Sequence, residues 1–202
     1  MEFRFAETER ALALTHAIAD DKRSAFANRL RHLQRLGFPP GVNTGRGKVA
    51  AYGVGEVFLL GVALELMQLG LNPERAVDAI TDDLFAVAMG AGMAAYDGPP
   101  TGGFKNPIFY YLDPSALNDL MRPGRQGDRA SASFFYAGLG IINEHLAARA
   151  KEGFGRVALI NVSFLVHRIS GFLVKPEDKQ AFYDRLAIWA DHLKDGVDDG
   201  HP

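Results

Sequence analysis

Lys22-Arg23-Ser24-Ala25-Phe26-Ala27-Asn28-Arg29-Leu30-Arg31-His32-Leu33-Gln34-Arg35-Leu36-Gly37-Phe38 sets apolar side chains among long basic ones in a helical rhythm. Phe26, Leu30 and Leu33 fall at i, i+4 and i+7, and Leu36 closes the last turn, so one stripe faces a core. Asp20 and Asp21 supply N-cap chemistry ahead of it. Gly37 is a natural C′ residue, and Pro39-Pro40 stops the helix from continuing. The spacing therefore predicts a helix over 22–36, with Asn28, Arg31, His32 and Arg35 lying away from the buried stripe.

The charge of this segment is as informative as its period. Between Asp21 and Glu56 there is no acidic residue, while Lys22, Arg23, Arg29, Arg31, Arg35, Arg46 and Lys48 are all basic. Of 22 Lys and Arg in the chain, removing these seven leaves 15 against 24 Asp and Glu, a formal −9 on the remainder of a chain whose net charge is −2. A basic patch on an otherwise acidic molecule collects polyanions in one orientation.

Working outward, Glu7 to Ala19 reads as a first helix on Leu12, Leu14 and Ile18. After the basic helix, Val42-Asn43-Thr44 and Val49-Ala50-Ala51-Tyr52 flank Gly45-Arg46-Gly47-Lys48, the pattern of a small hairpin over 42–52. A third helix is expected over 54–69 with Val57, Leu60, Leu64 and Met67 inward. Asn72-Pro73-Glu74 then opens a fourth helix running to about Met89. Gly90 to Gly103 is rich in Gly and Pro and reads as a linker.

Beyond the linker the pattern turns mixed. Strands are expected at 107–112, 131–137 and 156–160, and helices from Asp113-Pro114-Ser115, over 141–150, from Asn161 or Ser163 to Phe172, and from Pro176 onward. Pro123 to Arg129 reads as a loop. The resulting expectation is an α+β chain: a mostly helical winged helix-turn-helix over 1–89, a linker over 90–103, a small mixed α/β domain over 104–195, and a polar tail over 196–202.

Base edges and phosphates call for long donors opposite a buried face. Arg bridges guanine O6 and N7, Asn bridges adenine N6 and N7, and Lys answers to charge alone. Asn28, Arg31, His32 and Arg35 are the candidate base-reading face. Arg46 and Lys48 are candidates for a wing entering an adjacent groove or meeting a phosphate, and Lys22, Arg23 and Arg29 are phosphate anchors or simply solvated charge. The expected partner is double-stranded DNA.

Three segments carry a family resemblance. Arg29-Leu30-Arg31-His32-Leu33-Gln34-Arg35-Leu36-Gly37-Phe38 resembles the end of the recognition helix of MerR-type winged-helix regulators, where Leu-Arg-Tyr-Tyr-Glu-Arg-x-Gly-Leu stands. Tyr52-Gly53-Val54-Gly55-Glu56-Val57 is similar to the wing-ending Tyr-Ser-x-x-Asp-Leu. Glu65-Leu66-Met67-Gln68-Leu69-Gly70-Leu71-Asn72-Pro73-Glu74 is similar to the Leu-Gly-Phe-Ser-x-x-Glu helix break. The resemblance covers residues 6 to 85 and implies the DNA-binding module alone. His32-Leu33-Gln34 replaces Tyr-Tyr-Glu, and no long helix follows for antiparallel coiled-coil pairing.

Other chemistries find little footing. Cys is absent, which removes disulfides and thiolate metal sites. Gly41 to Lys48 lacks the glycine and the Ser or Thr that a phosphate loop requires. The six His show no metal-ligand spacing, no nucleophile elbow or carboxylate pair is readable, and the expectation is a non-enzyme without cofactor or metal. No signal peptide or bilayer-length apolar run is readable, so a cytoplasmic protein is expected.

Ile108-Phe109-Tyr110-Tyr111 and Phe134-Phe135-Tyr136 read as sheet core plus a homodimer interface, with a sensory pocket for a small apolar effector as the sharper alternative. The leading functional expectation is a sequence-specific transcriptional regulator. A DNA-bending, excisionase-like factor and a non-catalytic protein-interaction or small-molecule-binding module are the alternatives.

Overall fold

The computed structural model describes residues 1–42, 50–112, 134–151 and 157–198, and the side chains of 194–198 are left aside. In chain order it runs β1 (Phe3–Arg4), α1 (Phe5–Thr15), α2 (Arg23–Arg35), β2 (Ala51–Tyr52), α3 (Val54–Gln68), α4 (Pro73–Asp82) and α5 (Leu84–Tyr96). Then follow β3 (Ile108–Leu112), β4 (Phe135–Gly138), α6 (Leu139–Lys151), β5 (Ala158–Asn161), α7 (Val162–Leu173) and α8 (Lys179–Asp198). The architecture is mixed α+β, mostly helical, with small sheets.

Local chemistry explains most boundaries. Gly37 takes φ +78, and Leu36 and Phe38 return N–H groups to the last carbonyls of α2. Asn72 accepts from the Arg75 N–H at 2.9 Å with Pro73 following, so α4 starts as its sequence demands. Asn161 caps α7 in the same way, accepting from Phe164 N. The helix expected over 54–69 is α3, but its buried face is not a stripe. Val54, Val57, Phe58, Leu59, Leu60, Val62, Ala63 and Leu66 are all buried, so α3 is the central helix.

Two expectations change. The single helix over 73–89 is broken at Asp83, whose carboxylate accepts the Phe134 N–H at 2.6 Å, and the chain restarts as α5. The segment read as a linker from Gly90 is helical as far as Tyr96. Gly90 and Gly92 are contact points there and do not break the helix. A Cβ on Gly90 would lie 2.2 Å from Tyr110 Cε1, and one on Gly92 would lie 3.0 Å from the Ala190 Cβ. The 113–115 helix start, the 123–129 loop, the 42–52 hairpin turn and the polar tail fall wholly or largely outside the described residues.

The three-stranded sheet has order β4-β3-β5, antiparallel throughout, with Tyr110 opposite Tyr136 on one side and Ile160 on the other. Side chains alternate as a pleat requires. Ile108, Tyr110 and Leu112 join the main core, while Phe109 and Tyr111 pack with Ala137 and Ile142 beneath α6. Phe109, Tyr110 and Tyr111 therefore fill the sheet's own two faces, while Phe135 stays 37 % exposed.

One apolar core runs from Phe3 through Leu30, Phe58 and Ile80 to Ile160, Val166 and Leu186. It passes from the first half of the chain into the second without interruption, with α1 on α7, α3 on α7 and α8, and α5 on α8. Among the described residues no helix is long and apolar enough to cross a membrane.

Candidate nucleic-acid interface

Helix α2 is held from one side only. Phe26, Leu30 and Leu33 are buried, and Asn28, Arg29, Arg31 and Arg35 are exposed, with His32 half-buried. At about 100° per residue, Asn28, Arg31 and Arg35 share one stripe, His32 borders it and Arg29 lies on the opposite flank. Four of the expected site residues are thus brought together and a fifth is set apart.

The stripe is internally wired. Arg31 Nη1 donates to Asn28 Oδ1 at 2.9 Å, and its guanidinium stands 5.2 Å from the centre of the Phe5 ring. His32 Nε2 meets Glu74 Oε1 at 3.0 Å, and Arg35 Nη2 lies 3.4 Å from His32 Nδ1. With Nε2 donating to the carboxylate, Nδ1 is left as the acceptor for Arg35, which fixes the order Glu74, His32, Arg35. The N–H at the start of α4 and the imidazole both hold the Glu74 carboxyl below its usual range. Gln34, on the inner edge of α2, donates to the Tyr52 hydroxyl and ties the helix to β2.

The N-terminal cations are committed elsewhere. Arg23 makes a two-pronged pair with Glu9 of α1, Nε to Oε1 at 2.9 Å and Nη2 to Oε2 at 2.8 Å. This hydrogen bonding raises the guanidinium pKa further and makes Arg23 a strut between α1 and α2. Lys22 pairs with Asp21 at 2.9 Å, with both side chains well exposed. Arg46 and Lys48 lie outside the described residues.

A strand that sequence reading did not anticipate completes the picture. β1, immediately ahead of α1, pairs antiparallel with β2, setting Phe3 opposite Tyr52. Both are buried, so the chain end leaving 43–49 is fastened beside α1 and α2. Phe3-Arg4-Phe5 alternates, but three residues are too few to signal a strand. Phe5, Glu9 and Glu74 were also missed, because helix periodicity says which face is free and nothing about what reaches it from 14 or 42 residues away.

Comparison of the chain with protein-family models, curated proteins and solved structures finds no match. Among the described residues no group of three or more His, Asp or Glu is placed to hold a metal ion.

Proposed function

We propose that the chain is a sequence-specific DNA-binding regulator that reads the major groove with the Asn28, Arg31, His32 and Arg35 stripe. Residues 42–52 act as a wing on an adjacent groove or on the backbone. The observation that supports this most is the one-sided mounting of α2: a fully buried apolar stripe opposite exposed Asn and Arg, in a window without an acid. The strand before α1 pairs with the strand that ends the expected wing, which fastens that end of residues 42–52 to the body carrying α2. Glu74 is the discordant charge at the edge of the stripe, where its carboxylate is held by the hydrogen bond to His32 Nε2.

The test is binding to selected duplexes at several salt concentrations. With about six phosphates contacted, affinity falls on the order of 10³-fold between about 50 and 200 mM salt. Arg31→Ala and Arg35→Ala each cost about 1–3 kcal/mol of discrimination while leaving stability within about 0.5 kcal/mol. Salt-insensitive binding, or variants that bind as wild type does, would overturn the reading.

A second reading, a small-molecule-binding module, is favoured by a cavity of about 290 Å³ between the end of α5 and the start of α7. Asp97, Thr101, Lys105, Asn106 and Ser163 line it along with Met93 and Phe104. Its size is at the lower limit of ligand pockets. Absence of any duplex shift at low salt, with saturable binding of a small polar ligand, would favour this reading.

A further inference from the structure

We propose that the cavity between the end of α5 and the start of α7 binds a free α-amino acid with a medium-sized apolar side chain, held by both of its charges. The proposal names a ligand class for the small-molecule reading of that cavity and rests on it; it does not depend on α2 reading DNA. The walls are stiff. Gly98 takes φ +69 and turns the chain out of α5, and Pro99-Pro100 restrict the segment that follows. Phe104 stands edge-on to the His167 ring of α7, with ring centres 5.8 Å apart.

Two opposite charges face this cavity without neutralising each other. Asp97 and Lys105 both line it, and neither makes a hydrogen bond or ion pair among the described residues. The helix ends sharpen the polarity. Asp97 is the residue at which α5 stops, so its carboxylate adds to the negative end of that helix dipole instead of offsetting it. Ser163 is the second residue of the 12-residue α7, at the positive end of the other dipole. It is only 4 % exposed. Its Oγ accepts the Ile108 N–H at 2.9 Å, while its own proton has no acceptor among the described residues.

These poles select the ligand. Asp97 and the end of α5 together favour an ammonium; Lys105, the Ser163 hydroxyl and the start of α7 favour a carboxylate. A purely anionic ligand would be repelled by Asp97, and a purely cationic one by Lys105. An α-amino acid carries both groups on one carbon and satisfies both poles at once. A volume of about 290 Å³ suits one such molecule, and Met93 and Phe104 are the apolar surfaces left for its side chain.

Calorimetric titration of the full chain with a set of related probes decides the matter. L-Leucine carries both charges, N-acetyl-L-leucine lacks the ammonium, L-leucine methyl ester lacks the carboxylate, and N-acetyl-L-leucine amide lacks both. L-Leucine is expected to bind saturably at one site, and each derivative about tenfold more weakly or worse. Asp97→Asn should weaken L-leucine about tenfold without weakening N-acetyl-L-leucine, and Lys105→Gln should weaken it similarly without weakening the methyl ester. Both side chains are exposed and unpartnered, and circular dichroism verifies that the variants fold. L-Leucine binding that is indifferent to both substitutions overturns the proposal. So does a derivative that binds as tightly as L-leucine, which would keep the cavity as a site for another ligand class. Silence from every probe overturns the proposal and the small-molecule reading of the cavity together.

Discussion

His16, just beyond the end of α1, has a side chain almost wholly enclosed. Its Nδ1 lies 2.8 Å from Gln68 Nε2 and 3.4 Å from Glu65 Oε1, both on α3. The short distance to Glu65 invites the label of ion pair, but burial first and Arg168 second pull the imidazole down to about 4, so it is neutral near pH 7. Arg168 itself caps α1, donating to the Leu14 carbonyl at 2.9 Å. A base whose folded pKa is depressed contributes full stability above its unfolded value of roughly 6.5 and loses it as pH falls toward 4. From pH 7 to 5 that loss is on the order of 2 kcal/mol. Burial raises the Glu65 carboxyl, and its earlier protonation in the fold works against the loss. The His16 part is isolated by urea unfolding of wild type and His16→Gln at both pH values. Wild type should lose about 2 kcal/mol more than the variant over that interval, and parallel profiles would refute the assignment. The sequence holds His16 and Glu65 in plain sight, 49 positions apart, but periodicity cannot bring them together. The α2 stripe was legible for the opposite reason: its members are three or four residues apart on one helix, where geometry is fixed by the backbone alone.

Helices α3 and α5 carry glycines where side chains of neighbouring elements press against them. A Cβ on Gly55 of α3 would lie 2.3 Å from the Trp189 ring of α8, while one on Gly171 of α7 would meet nothing within 4 Å. The same substitution should therefore change sign between the two sites. Gly55→Ala forces Trp189 off its seat and costs about 1–3 kcal/mol, as overpacking does. Gly171→Ala removes unfolded-state freedom inside a helix and adds about 0.5–1 kcal/mol. Thermal melts give both signs, and the emission of Trp189, the one tryptophan of the chain, should shift to the red in Gly55→Ala alone. Equal effects at the two sites would refute this account. It also explains why element boundaries near Gly90 misled the sequence reading. Glycine marks a turn in one setting and a helix contact in another, and only the presence of Tyr110 and Ala190 across the gap separates the two. The break at Asp83 was hidden in the same way, since its cause is the Phe134 amide, 51 residues later.

For the whole molecule, the question is whether residues 1–89 constitute a body of their own. Composition argued for a boundary over 90–103, and the continuous core argues against independence. Leu165 and Ile169 of α7 close over Gly61, the Trp189 and Phe58 rings stand 6.3 Å apart, and Arg168 caps α1 from across the chain. Removing the second half would uncover the outer sides of α1 and α3 together, a large loss for a small unit already short of core. The full chain should therefore unfold in one calorimetric transition, with the calorimetric and van't Hoff enthalpies equal. A fragment of residues 1–89 should lack a cooperative melt of its own. Two resolved transitions, or a fragment that melts sharply, would restore the two-domain organisation. The outcome bears on the proposed function directly. In a single cooperative unit, the Glu9–Arg23 strut joins the basic helix to α1, and α1 rests on α7, whose first turn borders the cavity at Ser163. Any ligand taken up there would then act on the same folded body that presents Asn28, Arg31 and Arg35, with no hinge between to absorb its effect.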